Sequence, residues 1–126
     1  MKIILTGCAG FIGYHLAKKY LDMNFKVLGI DNLNSYYSIK LKKDRLKNLY
    51  KNKNIKNFFF KKISIGNYNN LNKVFSKFKP SVVVNLAAQA GVRHSLKKPL
   101  DYVKSNLEGF SNILILSQKF KVKHLV

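Results

Sequence analysis

The stretch TGCAGFIG places Gly7, Gly10 and Gly13 between a short apolar run and a run of helical spacing. Lys2 to Thr6 is β-branched and apolar and reads as a buried strand, while Phe11, Leu16, Ala17 and Tyr20 recur at helical spacing through Leu21. A second apolar run, Val27-Leu28-Gly29-Ile30, ends at Asp31. Strand, glycine turn, helix and an acid about 20 positions further on form the fingerprint of a dinucleotide site. The spacing here is G-x-x-G-x-x-G rather than the general G-x-G-x-x-G. Gly7 suits the tight turn out of the strand, Gly10 lets backbone amides approach a pyrophosphate, and Gly13 lets the helix pack on the sheet. The anion then rests on unpaired N–H groups and the positive end of the helix dipole. Asp31 can accept hydrogen bonds from both ribose hydroxyls of NAD and repels the 2′-phosphate of NADP, so NAD is the expected cofactor. The same carboxylate also suits the cap of the Asp-Asn-Leu-Asn turn, and the two roles are compatible.

A different reading of the start is a lipoprotein signal, with Leu5-Thr6-Gly7-Cys8 before a lipidated cysteine. Only Ile3, Ile4 and Leu5 separate Lys2 from Thr6, short of the apolar stretch of about 7–15 residues that a secretory signal needs. The 126 residues fit one small domain, and 47% apolar content argues for a globular chain. No apolar run approaches the roughly 18 residues of a membrane span. The one cysteine, Cys8, forms no internal disulfide, which fits a reducing cytoplasm. His15, His94 and His124 are scattered, so no metal-ligand cluster is expected. The net charge of +19 is the electrostatic footprint of a nucleic-acid binder. Its distribution weakens that reading, because lysines occupy nearly every segment and no stacking motif or recognition helix accompanies them. With Asn, Ile, Phe and Tyr also in excess, lysine reads as the generic surface residue of a drifted composition, leaving only nonspecific attraction to polyanions at low salt.

Further along, strand and helix alternate without repeats or a proline-rich linker. A basic helix is predicted over 39–50, a strand over 57–65, an amphipathic helix over 68–78, a buried strand over 81–86, a helix over 100–119 and a fifth strand from Lys123 to Val126. Strands joined by helices of this length give an α/β, Rossmann-type doubly wound parallel sheet with right-handed crossovers. Ligands in such sheets sit beyond the carboxyl ends of the strands, where each of these motifs falls.

TGCAGFIGYHLAKKYL, GIDNLNSYYSIKLKKDRL, VVVNLAAQAGVRHSLKKPLDYVKSNLEGFSNIL and VKHLV together resemble the extended short-chain dehydrogenase/reductase family of NAD-dependent epimerases and dehydratases. Within it they are most similar to the bacterial UDP-glucuronate 4-epimerases, with AAQAGVR and DNLN-x-YY the discriminating segments. The resemblance implies a pyrophosphate turn at Gly7, Gly10, Phe11, Ile12 and Gly13, and a ribose and adenine edge at Asp31 and Asn32. It puts Ser64 and Ile65 beside the adenine, where the family usually has Asp before an aliphatic residue, so one base contact is expected to be weaker. It assigns Leu86, Ala87 and Ala88 to the strand passing the cofactor and Asn106 to the nicotinamide side. Gln89, Arg93 and Ser95 would face a UDP-sugar substrate, with His94 replacing a usual Tyr. Arg93 suits a phosphate or carboxylate, and it equally suits a helix-entry turn before Pro99.

The family's chemistry is implied as a borrowed-hydride cycle at C4 of the sugar, run by a Tyr base, a neighbouring Lys and a Ser or Thr. The Tyr-x-x-x-Lys helix of such enzymes follows strand five, and this chain stops at Val126 within that strand. Residues 1–126 are therefore expected to be the N-terminal part of an NAD-binding Rossmann domain, truncated in its fifth strand. Such a part lacks the catalytic residues and the C-terminal substrate domain, and is inactive alone. Tyr14 with Lys18 and Tyr36 with Lys40 share the motif's spacing but fall in the wrong elements. The open alternatives are a non-catalytic NAD-binding remnant and a related dehydratase or reductase. The full-length family implies a cytoplasmic homodimer, with no specific nucleic acid or membrane partner.

Overall fold

The computed structural model describes residues 1–126. Strand β1 (Lys2–Thr6) carries two isoleucines whose branched side chains favour the pleated backbone. It lies at the centre of a five-stranded sheet of order β3-β2-β1-β4-β5. Its partners are β2 (Lys26–Asp31) and β4 (Val82–Asn85), both parallel, with Thr6 in register with Ile30 on one side and Asn85 on the other. β3 (Phe58–Lys62) extends the sheet beyond β2, and the two-residue β5 (His124–Leu125) extends it beyond β4.

Successive strand residues face opposite sides of the sheet, and both sides are covered. Ile3, Leu5, Val27 and Val84 pack with Ala17 and Leu21 of α1 (Phe11–Asp22) and Leu46 and Leu49 of α2 (Ile39–Leu49). Ile4, Leu28, Ile30 and Val83 pack on the other side with Leu71 and Phe75 of α3 (Tyr68–Phe78) and Ile113 and Leu116 of the last helix. The doubly wound parallel sheet is therefore the fold. Local signals start the helices: Ser38 Oγ accepts the Leu41 N–H at 3.3 Å to open α2, and Asn67 Oδ1 accepts the Asn70 N–H at 3.0 Å to open α3.

The structure departs from the sequence expectations at three places. The strand expected over 57–65 is confined to Phe58–Lys62, because a 3₁₀ turn (Ile55–Asn57) precedes it and Ser64 Oγ bends the chain by accepting the Gly66 N–H at 3.3 Å. A short helix, α4 (Val92–Lys97), occupies a stretch to which no element is assigned from sequence, since VRHSLK contains no breaker between Gly91 and Pro99. The helix expected over 100–119 starts with Pro99 as α5 (Pro99–Tyr102), widens into a π-helical segment over Val103–Gly109, and closes as α6 (Phe110–Lys119). No helix of the chain is long and apolar enough to cross a membrane.

Candidate functional site: a cleft at the carboxyl edge of the sheet

A cleft of about 590 Å³ opens where β1, β2 and β4 end. Its floor is the glycine turn. Gly7 has φ +67°, and a Cβ on it would come within 2.8 Å of the Leu86 carbonyl carbon, so only glycine fits between the two strand ends. Gly13 lies so close to the Gly7 carbonyl that any side chain would overlap it. Gly10 precedes the first turn of α1 without a side-chain cap. The Phe11, Ile12 and Gly13 amides have no acceptor within the protein, as first-turn amides do not unless something caps them. No acidic residue stands in that turn to compete for an anion.

Asp31, at the end of β2, is buried and holds the turn in place. One carboxylate oxygen accepts the Ala9 N–H at 3.1 Å and the other accepts the Leu33 N–H at 2.8 Å. A carboxylate has about four lone-pair sites, so acceptor capacity remains on both oxygens. Asp31 thus caps its own turn and keeps a face for a ligand. Asn32 beside it is exposed, its side-chain oxygen accepting the Asn34 N–H at 3.0 Å.

The opposite wall is the segment after β4. Thr6 Oγ1 donates to Asn85 Oδ1 at 2.6 Å and accepts the Ala87 N–H at 3.0 Å, which turns Leu86, Ala87 and Ala88 along the cleft. Asn106, in the π-helical segment, then grips the next residue by both backbone groups. Its Oδ1 accepts the Gln89 N–H at 2.8 Å and its Nδ2 donates to the Gln89 carbonyl at 3.0 Å. The side chain of Gln89 is buried and its Oε1 accepts from Asn34 Nδ2 at 3.4 Å, joining the two walls. On the base side, Ser64 and the buried Ile65 line the cleft, and Asn112 Nδ2 fixes Ile65 by donating to its carbonyl at 3.0 Å.

The structure thus collects Gly7, Gly10, Phe11, Ile12, Gly13, Asp31, Asn32, Ser64, Ile65, Leu86, Ala87, Ala88 and Gln89 around one cavity. Asn106 stands behind its wall and acts through Gln89. Arg93 and Ser95 are not among the lining residues: both lie on α4, where Arg93 is exposed and Ser95 Oγ donates to the Val92 carbonyl at 2.5 Å. Beside them, His94 lies 3.1 Å from Asp101 and packs edge-on against Tyr36, with ring centroids 5.1 Å apart. Tyr102 donates to the Ala90 and Gly91 carbonyls. Desolvation, with Tyr36, Tyr37 and Asp101 nearby, raises its phenol above the ordinary value.

Sequence reasoning missed Asn34, Tyr37, Asp101, Lys104 and above all Lys42, which also line the cleft. Lys42 is buried, and its ammonium donates to the Asn34 carbonyl and to Asn34 Oδ1, both at 2.9 Å. The signal was present in the spacing. Lys42, Leu46 and Leu49 follow the inward stripe of α2, so the lysine stands where an apolar residue is the rule.

A family model described as GDP-mannose 4,6 dehydratase matches residues 4–125. Protein CapI of Staphylococcus aureus is 52% identical over the whole chain, which covers 36% of that protein. The UDP-glucuronate 4-epimerase of Thermodesulfobacterium geofontis is 45% identical over 98% of the chain and 37% of its own length. Among solved structures, a mutant UDP-glucuronic acid 4-epimerase of Bacillus cereus, in complex with UDP-4-deoxy-4-fluoro-glucuronic acid and NAD, superposes with a TM-score of 0.83. The two are 33% identical, and the match covers 98% of this chain and 38% of that one. The UDP-glucose 4-epimerase of Thermotoga maritima, solved with UDP-glucose, gives 0.81 at 32% identity over 99% and 36%. The chain spans little more than a third of the length of the curated relatives it matches.

Proposed function

The chain belongs to the family described as GDP-mannose 4,6 dehydratase, and from that premise we propose that it forms the NAD-binding, N-terminal part of an enzyme that inverts C4 of a UDP-sugar, of the UDP-glucuronate 4-epimerase kind. The observation that carries this reading is the pairing, within one cleft, of an uncapped glycine turn with a buried strand-end carboxylate. The residues fit the dinucleotide chemically. The turn closes only with glycine at positions 7 and 13, where a Cβ would strike the Leu86 and Gly7 backbones, three amides there lack acceptors, and Asp31 keeps lone pairs for ribose hydroxyls.

When bound, NAD supplies the hydride acceptor and donor. The roles of this chain follow from its own groups. The Phe11, Ile12 and Gly13 amides hold the pyrophosphate, Asp31 and Asn32 orient the ribose, Ser64 and Ile65 flank the base, and Leu86 to Ala88 shield the cofactor from water on the β4 side. Gln89 begins the sugar-nucleotide side from within the cleft, while Arg93 and Ser95 on α4 are assigned to it by the resemblance alone, with the exposed Arg93 free to meet a phosphate or carboxylate. The buried thiol of Cys8 suits a reducing cytoplasm. Pairing of two copies is supported by exposed Leu100, Val103, Leu107, Phe110 and Leu114, which recur at alternating steps of three and four through α5, the π-helical segment and α6.

The test has two parts. Calorimetric titration of the chain with NAD reads the cofactor site, and incubation of UDP-glucuronate with the natural protein containing these residues reads the reaction. Saturable NAD binding and formation of the C4 epimer are expected. NAD binding with loss of water from the sugar, and no epimer, would establish the dehydratase reading that the description of the family model favours.

A further inference from the structure

We propose that Lys42 is a specificity-determining residue at the ribose edge of the cleft: its ammonium offsets Asp31, so that the site accepts a dinucleotide carrying a 2′-phosphate as well as NAD. This rests on the dinucleotide reading given above and refines the cofactor preference that Asp31 alone would dictate.

Among the 24 lysines and arginines of the chain, Lys42 is the only one buried. Surface composition explains the others; it does not explain this one, because taking an ammonium out of water is costly unless an anion compensates it. None does. The ion pairs of the structure are Lys47 with Asp44 and His94 with Asp101, and no carboxylate lies within 4.0 Å of Lys42. Two of its three N–H donors are engaged, both by Asn34, and the third is unassigned. The side chain nevertheless lines the nucleotide cleft, in company with Asp31 and Asn32.

The segment Asp31 to Asn34 is held at its two ends by groups of opposite charge. Asp31 takes the Leu33 amide at 2.8 Å, and Lys42 grips Asn34. In dinucleotide sites an acid at this edge accepts the 2′-hydroxyl, and a cation close by accommodates a 2′-phosphate. Here both are present. Asp31, already accepting two backbone amides, has part of its charge satisfied by the protein, whereas the charge of Lys42 has no anionic partner. A doubly negative phosphate supplies one.

The experiment is equilibrium binding of NAD and NADP to the chain and to Lys42→Met, with circular dichroism to confirm folding. The unsubstituted chain is expected to bind NADP within about 100-fold of NAD, and Lys42→Met to lose NADP affinity at least tenfold more than NAD affinity, the worth of one charge-assisted hydrogen bond. Stricter exclusion of NADP by the unsubstituted chain, or losses within tenfold of each other in the variant, would overturn the proposal. Should Lys42→Met not fold, Lys42→Gln, which keeps a donor for Asn34 without the charge, is held to the same criterion. If the unsubstituted chain binds neither dinucleotide, the cofactor reading falls and this proposal with it; if it binds NAD and rejects NADP, only the role of Lys42 falls.

Discussion

Two backbone amides hang on the carboxylate of Asp31, one from the glycine turn and one from the loop after β2. Asp31→Ala leaves both without a partner in a buried setting and is expected to cost about 1–3 kcal/mol of stability, read from the urea midpoint. It also removes the acceptor for the ribose, so the preference for NAD over NADP is expected to vanish; unchanged NAD affinity would reject the ribose role. Cys8 is its neighbour in the core and completely buried. Burial first, and the negative charge of Asp31 second, push its thiol well above the ordinary range. The sign of the linkage follows. Above about pH 8.5 the unfolded chain gives up the thiol proton while the folded chain keeps it, so this group's contribution to stability is full at neutral pH and declines by roughly 1.4 kcal/mol per pH unit as pH rises. Denaturant titrations at pH 8 and pH 10 are expected to show a steeper decline for the natural chain than for Cys8→Ala.

At the scale of elements, the π-helical segment Val103–Gly109 is the unusual piece, and such bulges concentrate at functional sites. It carries Asn106, whose amide pairs with Gln89 as a neighbouring strand would. Asn106→Ala is expected to speed hydrogen exchange at the Gln89 amide and to weaken dinucleotide binding, with little effect on exchange in β2. An unaltered Gln89 amide would show that the wall is held by other means. This segment also marks how far the sequence could be read. The strands were legible because β-branched apolar runs buried on both faces leave few other options, and the glycine turn because its backbone admits nothing larger. The π-helical widening was not legible, since exposed Leu100, Val103, Leu107, Phe110 and Leu114 keep ordinary helical spacing across it. The site shows the same division. Cleft residues fixed by backbone geometry were found from sequence, whereas Asn34 was hidden by a composition rich in asparagine, and Lys42, though its spacing with Leu46 and Leu49 is readable, passes for one more surface lysine. Arg93 and Ser95, placed at the sugar side by resemblance, sit on α4 and do not line the nucleotide cleft.

The whole molecule carries a net charge of +19 with nearly all of its cations on the surface. Coulomb attraction to any polyanion follows, and it is of the kind that salt removes. Retention on a heparin column at 50 mM salt is expected to be lost by about 300 mM, because displacing several counterions makes affinity fall steeply with salt. Retention that survives 1 M salt would indicate a specific nucleic-acid surface instead. The order of the sheet has a separate consequence, for how the chain comes into being. β1 occupies the centre, but its Thr6 meets Asn85 across a separation of 79 residues. While the ribosome is making the chain, one edge of the central strand therefore waits for its neighbour. At synthesis rates of about 5–20 residues per second the wait lasts about 4–16 s. Throughout that interval the backbone edge of Ile3, Ile4 and Leu5 that later pairs with β4 is open to other nascent chains, so the hazard of mispairing falls during synthesis and not in the finished fold.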